Sequence, residues 1–344
     1  MIGANEQPVL LVVFLRADNI TRQLEVLAKT NRSVYISIDG PRTQEDKKLQ
    51  ENVYKAIKNF ILKKRNKVKV LVRKENVGIA CAVVTALDWF FSEQQQGIVI
   101  EDDLDFDTDF LTFMDYSLLK FHQDSRVMMI SGNNYLSLGE QEPHGWMTNF
   151  PQTWGWATWA SRWRILRMSF SKSDLPNARF LFDPKYWFFW IGKIRTLNRR
   201  IDTWDIPIAY QMYTSGGLCV LPPVNLCSNV GTDSFATHTR NDEFPIRFPR
   251  ERLNDKPGDE LWWKNSLNEI GTMNHFIARR IFGVSSLNFL KSPVYCLEGV
   301  IYQLTRVLNS KNQNLHNLLE IRKPKNSEIV SGQGFVELMD VGKI

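Results

Sequence analysis

The chain has 344 residues, a length that suits about two domains or one large one. Hydrophobic residues make up 43% and charged residues 23%, ordinary globular usage that excludes a disordered, collagen-like or disulfide-scaffold chain. The 43 Lys and Arg against 37 Asp and Glu give a net charge of +6, which suits an anionic partner without choosing among nucleic acid, a membrane surface and a nucleotide diphosphate.

Pro8 to Phe14 is a continuous apolar run of strand length, and after Asp18-Asn19 the positions Ile20, Leu24 and Leu27 share one helical face. Val34 to Ile38 predicts a second strand, stopped by Asp39-Gly40-Pro41. Val53, Ile57, Phe60 and Ile61 predict a helix with a basic outer face, and Val68 to Val72 a third strand. Asn76-Val77-Gly78 leads into a helix through Ala82, Ala86 and Phe90; Gly97 to Ile100 and Val127 to Ile130 are the fourth and fifth strands. Gln94 to Gln96 and Lys63 to Lys69 read as solvated faces.

Near-continuous β-branched runs alternating with helices imply parallel strands covered on both faces. The expected fold is therefore α/β, a mostly parallel mixed sheet flanked by helices. Ligands of such sheets bind beyond the carboxyl ends of the strands, so the residues just after each strand are candidates. Those residues are largely polar: Arg16 and Asp18, Asp39-Gly40, the 73–78 segment, Glu101-Asp102-Asp103, and the 131–134 segment.

After Asn149 the chain becomes rich in Trp, Phe and Pro. The expected division is 1–135 as a nucleotide-binding half, 136–245 as an irregular, aromatic-rich acceptor half of the same domain, and 246–344 as a helical extension with a polar tail. No internal repeat occurs. The longest apolar stretch near the C-terminus, Val284 to Leu308, is broken by Lys291, Pro293, Glu298 and Arg306, short of the ~20 apolar residues of a spanning helix. No basic leader with a small-residue cleavage site opens the chain. Cys81, Cys219, Cys227 and Cys296 form no C-x-x-C pair and read as free thiols. The expectation is a soluble, cytoplasmic protein, peripheral to the inner membrane face if the basic, apolar stretch 276–308 touches lipid; packing of that stretch against the domain is the other reading.

Glu101-Asp102-Asp103 directly follows an apolar strand. Carboxylates crowded at a strand tip repel one another unless a cation or hydrogen-bond donors compensate, and Mg²⁺ or Mn²⁺ takes such oxygens while keeping places for substrate phosphates. Asp105, Asp107 and Asp109 fit the start of a helix, where acids suit the dipole.

A βαβα half ending in an apolar strand plus Glu-Asp-Asp resembles the nucleotide-sugar glycosyltransferases of the GT-A fold, with the inverting N-acetylglucosaminyltransferase I family as the nearest likeness, over about residues 9–232. The resemblance implies that Asp103 ligates a divalent metal, Mn²⁺ or Mg²⁺, carried by the nucleotide phosphates, and that Glu101 and Asp102 contact ribose or orient the loop. It implies an Arg16 near the nucleotide, an Asp39 on the uracil, and a donor loop at Asn76 and Gly78. Surface charge or helix capping for Arg16, turn formation for Asp39 and close packing for Gly78 are the competing readings.

Inverting transfer needs a base for the acceptor hydroxyl. Asp202-Thr203-Trp204-Asp205 is similar to the family's Trp-Asp-Asp segment, so Asp205 is the first choice of base and Asp202 the second; Ile206 stands where the family has its second Asp, and helix capping is the competing role. Gly216 to Pro222 resembles the strand that follows. In Phe150 to Trp159, Gly155 would admit close backbone approach to the substrate, and Trp154 and Trp156 would either stack on a sugar ring or fill the core. A C-terminal metal or phosphate contact would fall to His238, which otherwise is a hydrogen-bonded loop residue.

The implied function is metal-dependent transfer of a hexose or N-acetylhexosamine, UDP-linked, to a glycan or lipid-linked glycan during cell-surface polysaccharide assembly. The alternatives are a nucleotidyl- or phosphotransferase using the same acids, against which stands the lack of G-x-x-x-x-G-K-[ST], and a non-catalytic carbohydrate-binding protein. Basic residues are dispersed and no nucleic-acid motif occurs, so no nucleic-acid partner is expected.

Overall fold

The side chains of Val9, Leu11 and Val13 point to one face of their strand and Leu10 to the other, and both faces are covered. The computed structural model describes residues 6–64, 67–135, 144–167, 190, 202–231, 248–253, 262–264 and 266–281. Within them β1 (Val9–Val13), β2 (Val34–Ile38), β3 (Val68–Val72) and β4 (Gln96–Glu101) pair in parallel in the order β3-β2-β1-β4, with Val9 opposite both Val34 and Ile98. Helices α1 (Ala17–Ala28), α2 (Gln44–Lys64) and α3 (Ile79–Glu93) make the crossovers.

α1 buries Ile20, Leu24 and Leu27, the stripe that its sequence spacing requires, and α2 buries Val53, Ile57, Phe60 and Ile61. Both cover the face with Leu11 and Ile36. α3 is apolar on most sides and closes the opposite face with Val83, Leu87 and Phe90 against Leu10 and Tyr35. The first half thus matches the alternating strands and helices expected of it.

The second half departs from expectation by adding strands to the sheet, both in the stretch expected to be irregular and, at 262–264, in the one expected to be helical. After β5 (Leu104–Phe106), α4 (Thr108–Lys120), β6 (Val127–Ser131) and β7 (His144–Thr148), the segment Trp156–Trp159 forms β8, which lies antiparallel between β4 and β6 in the middle of the sheet. All four of its residues are buried, so large side chains on both faces fill both cores rather than an irregular surface. Then follow α5 (Ala160–Arg167), α6 (Asp205–Ser215), β9 (Leu218–Leu221), β10 (Cys227–Asn229), β11 (Trp262–Lys264) and α7 (Leu267–Arg280). The strand order is β11-β7-β9-β6-β8-β4-β1-β2-β3. The fold is α/β, a large, mostly parallel mixed sheet flanked by helices and compatible with a Rossmann-like architecture.

Capping explains several boundaries. Asp107 accepts from Asp109 N–H at 2.9 Å and starts α4, the role expected of these two acids; Asp105, expected there as well, lies in β5 instead and pairs with Arg250 at 3.0 Å. α6 ends at Gly216, whose φ of 74° allows Gly217 N–H to reach Met212 O at 2.9 Å in a Schellman turn. Ser266 and Glu269 form a capping box at the start of α7.

One surface expectation is corrected. Gln94 to Gln96 is no free solvated patch: Gln94 Nε2 donates to the Tyr35 hydroxyl at 2.6 Å, Gln95 O accepts from Ala160 N–H, and Gln96 Nε2 donates to Gln7 Oε1. In α7 the apolar residues at 276–281 face the protein: Ile277 and Ala278 are buried, and Phe276 and Ile281 pack on the α3-side core. Residues 282–308, the rest of the suggested membrane contact, lie outside the described residues. No helix among the described residues is long and apolar enough to cross a membrane.

Candidate functional site

The carboxyl ends of β1 to β4 lie side by side, so the turns after them share one edge of the sheet. Arg16 follows β1, Asp39 follows β2, Asn76 and Gly78 follow β3, Glu101 ends β4, and Asp102 and Asp103 follow it. Segment 202–205 joins them from the second half.

Asp102 is the bolt of this edge. Its N–H extends the sheet to Val12 O at 3.0 Å. Its Oδ2 accepts from the N–H groups of Phe14 at 2.7 Å and Leu15 at 3.2 Å, and its Oδ1 from Arg16 Nη1 at 3.1 Å. α1 grips the same loop, since Asn19 Nδ2 donates to the carbonyls of Asp102 and Leu104, and Gln23 Nε2 to those of Glu101 and Leu104. Asp102 is therefore spent on the protein and orients the loop, and Arg16 is both its ion-pair partner and a charge at the strand edge.

Asp103 is treated differently. Its Oδ2 accepts from Asn229 Nδ2 at 3.1 Å, and its carbonyl from Val230 N–H at 2.8 Å, because the two-strand ribbon of β5 and β10 brings 227–231 alongside. A Cβ on Gly231 would stand 2.7 Å from the Asp103 Cβ, so glycine permits the approach. Its Oδ1 is buried and has no hydrogen-bond partner. Burial, and then the neighbouring Asp102 charge, push the Asp103 carboxyl up to about 6, although Arg16 and Asn229 pull the other way. Burial and the charges of Asp103, Asp102 and Asp205 push Glu101 well above the usual carboxylate range, opposed by a hydrogen bond from Trp204.

An orphaned carboxylate oxygen inside a crowd of acids suits a hard cation, which would partner the oxygen and relieve the repulsion. Among the described residues no group of three or more His, Cys, Asp or Glu side chains is arranged to enclose a metal. The fit is thus to an ion held by one or two carboxylates with its other places on water or ligand phosphate, as Mg²⁺ and Mn²⁺ accept.

A second cluster lies after β2 and β3. Asp39 Oδ1 accepts from Gly40 N–H at 2.9 Å and Val77 N–H at 3.2 Å, and its Oδ2 from Asn76 Nδ2 at 2.8 Å. Asn76 also donates to Gly40 O and accepts from Gly78 N–H, so it welds the two turns together. Burial raises the Asp39 carboxyl to about 6, against the pull of these N–H donors and of Arg73. Arg73 is buried and donates to Ser37 Oγ at 2.8 Å and Thr85 Oγ1 at 2.6 Å. Gly78, at φ 83°, precedes α3, whose first N–H groups, Ile79 and Ala80, donate to the Asp202 carboxylate at 2.7 and 3.0 Å.

Asp205 stands in the first turn of α6 and accepts from the Thr203 hydroxyl and, at 2.8 Å, from Ile206 N–H through the same Oδ1. Its charge reaches Glu101 and Tyr135. Trp204 stacks on Trp156 with centroids 5.7 Å apart.

The aromatic candidates divide. Trp154 keeps partial exposure, meets Tyr135 edge-on at 5.3 Å, and stays at the strand edge. Trp156 is 1% exposed and its ring lies under Trp204, so it belongs to the core and offers no face to a sugar. Gly155, at φ 61°, is required by packing: its carbonyl accepts from Gly132 N–H, and a Cβ would come 2.9 Å from the Phe110 ring. Its need for glycine is thereby explained without a substrate. His238 lies outside the described residues.

Sequence reading assigned no role to Arg73, Asn229 or Trp204. Arg73 follows β3 directly, a signal present in the strand-end rule; nothing local announces Asn229 or Trp204, whose roles come from contacts more than a hundred residues away. No protein-family model matches the sequence, and no curated protein matches it.

Proposed function

We propose that the chain is a metal-dependent glycosyltransferase of GT-A type that moves a hexose or N-acetylhexosamine from a nucleotide diphosphate sugar, UDP-linked, to a glycan acceptor with inversion. The observation that carries the reading is the Asp103 carboxylate, buried among like charges with Oδ1 unpartnered at the carboxyl edge of the parallel strands. Such an arrangement costs stability unless a cation arrives, and that edge is where open α/β sheets take their ligands.

In this account Asp103, with Glu101 beside it, holds Mn²⁺ or Mg²⁺, whose chemistry is to offset negative charge on the departing diphosphate. Arg16, fixed by Asp102, adds a guanidinium next to the same diphosphate. Asp39, whose carboxyl Asn76 holds in place at the adjoining strand ends, is the group assigned to a nucleobase such as uracil. Asp205 accepts the proton of the acceptor hydroxyl while that oxygen bonds to the anomeric carbon and the bond to the diphosphate oxygen breaks, its electron pair leaving with the diphosphate. One Asp205 oxygen holds Thr203 and Ile206, which aims the group through its own loop. Trp154, beside Tyr135, is the aromatic surface left for the acceptor sugar. A glycan or lipid-linked glycan assembled at the cytoplasmic membrane face is the proposed acceptor class.

The test is thermal stability with UDP, GDP, dTDP and CDP, each with and without Mn²⁺. A ligand at ~100 times its dissociation constant adds about 2.7 kcal/mol to the folded state. The reading expects a Mn²⁺-dependent rise with UDP above the other nucleotides; no rise with any nucleotide contradicts it.

A further inference from the structure

Segment 202–205 crosses from one cluster of the strand edge to the other. At its start both Asp202 oxygens sit on the first N–H groups of α3, Ile79 at 2.7 Å and Ala80 at 3.0 Å, from 123 and 122 residues away. At its middle Trp204 hydrogen-bonds Glu101 and stacks on Trp156, a buried residue of β8. At its end Asp205 begins α6 within electrostatic reach of Glu101.

The start of α3 is shaped around this contact. Gly78 has φ 83°, and a Cβ there would stand 2.4 Å from Asp202 Oδ2. Any other residue at 78 would meet both an unfavourable backbone and the incoming carboxylate. α3 has no cap of its own: Gly78 offers no side chain, and Asp202 supplies from a distance the acceptor that a local Ser or Asp would supply elsewhere. Both Asp202 oxygens are engaged by backbone N–H groups, which makes it an anchor.

We infer that Asp202 is a positioning residue: it moors segment 202–205 to the start of α3, so that Asp205 is held beside Glu101 at the carboxyl ends of the strands. The inference rests on the reading of Asp205 as the base. It removes Asp202 from the choice of base and gives the Gly78 turn a second task, as the socket for the mooring.

The experiment is amide hydrogen exchange on the full chain for the native protein, Asp202→Asn and Asp202→Ala, combined with UDP and Mn²⁺ binding and steady-state turnover of a UDP-sugar donor. Losing a helix cap of this kind corresponds to about a fivefold change in the opening equilibrium. Exchange at Ile79, Ala80 and 203–206 is expected to rise about fivefold in Asp202→Ala and less in Asp202→Asn, which keeps one oxygen, while β1 to β4 keep their protection. kcat should fall at least tenfold in Asp202→Ala, with donor KM and UDP affinity within twofold of native and partial recovery in Asp202→Asn. Unchanged exchange at 203–206 in both variants overturns the inference, and so does a loss confined to donor KM, which would make Asp202 a donor contact. A native protein that binds no nucleotide with Mn²⁺ would instead overturn the transferase reading, and is told apart because the mooring would still appear in exchange.

Discussion

At the amino ends of the parallel strands Arg32 donates to both oxygens of Asp115, each at 3.1 Å, and to Gln7 O, while Gln7 N–H donates to the same Asp115. At the carboxyl ends Glu101, Asp102, Asp103 and Asp205 crowd together, Arg16 is committed to Asp102, and Asp103 keeps a buried oxygen without a partner. Both places bury charge in the same sheet. One matches each charge with an opposite one and saturates its hydrogen bonds; the other leaves negative charge in excess. The first arrangement locks α4 to the strand starts, and the second is the kind of imbalance that a ligand can correct.

The comparison can be broken most forcefully at the saturated end. Arg32→Ala leaves the Asp115 carboxylate buried without its guanidinium, and should cost about 3–5 kcal/mol in urea unfolding. The Mn²⁺-dependent stabilisation by UDP should persist in that variant as long as it folds, because the pair lies at the opposite end of the strands.

A smaller effect is expected at Asp39. Burial pushes its carboxyl up to about 6 in the folded chain, against the ordinary ~3.9 of the unfolded chain. Between pH 4 and 6 the folded state therefore holds a proton that the unfolded state has released. Stability from this group is present at low pH, falls as pH rises through that window, and changes no further above it. Asp39→Asn should lose this share of the slope, about 1–3 kcal/mol between pH 4 and 7, as read by denaturant unfolding at a series of pH values.

The smallest change in stability, about 1 kcal/mol, is expected for Arg16→Gln, since Asp102 keeps its backbone donors. Its value lies in sign. Removing the guanidinium should strengthen binding of Mn²⁺ alone and weaken binding of UDP, each several-fold by calorimetric titration; equal weakening of both would mean that Arg16 acts only as a brace for the loop.

The saturated and unsaturated ends also differ in how well the sequence announces them. The strands β1 to β4 and their helices follow from runs such as Val34 to Ile38 and from the Ile20, Leu24, Leu27 spacing, because local periodicity reports directly on burial. The acids at the end of β4 were visible for the same reason, as polar residues directly after an apolar strand. What each acid does was not visible. Asp102 and Asp103 are identical side chains in adjacent positions, and only the folded chain decides that one meets the N–H groups of Phe14 and Leu15 while the other meets Asn229, 126 residues on. Trp156 misled for a related reason: a Trp-rich run reads equally as a sugar platform or as a strand buried on both faces, and it is pairing with Val99 and Ser131 that makes it the latter. Asp202 and Arg32 likewise depend on partners far along the chain, 123 and 83 residues away.

The central claim is that negative charge on Asp103 is there for a cation rather than for the fold, and titration of Mn²⁺ followed by electron paramagnetic resonance, with UDP present, tests it directly in the native chain and in Asp103→Asn. Asparagine keeps the bond from Asn229 and removes the charge. The account predicts one bound Mn²⁺ per native chain, at least 100-fold weaker binding in Asp103→Asn, and a metal-free variant as stable as the native chain or more so. Equal Mn²⁺ binding by both proteins, or none by the native chain, would contradict it.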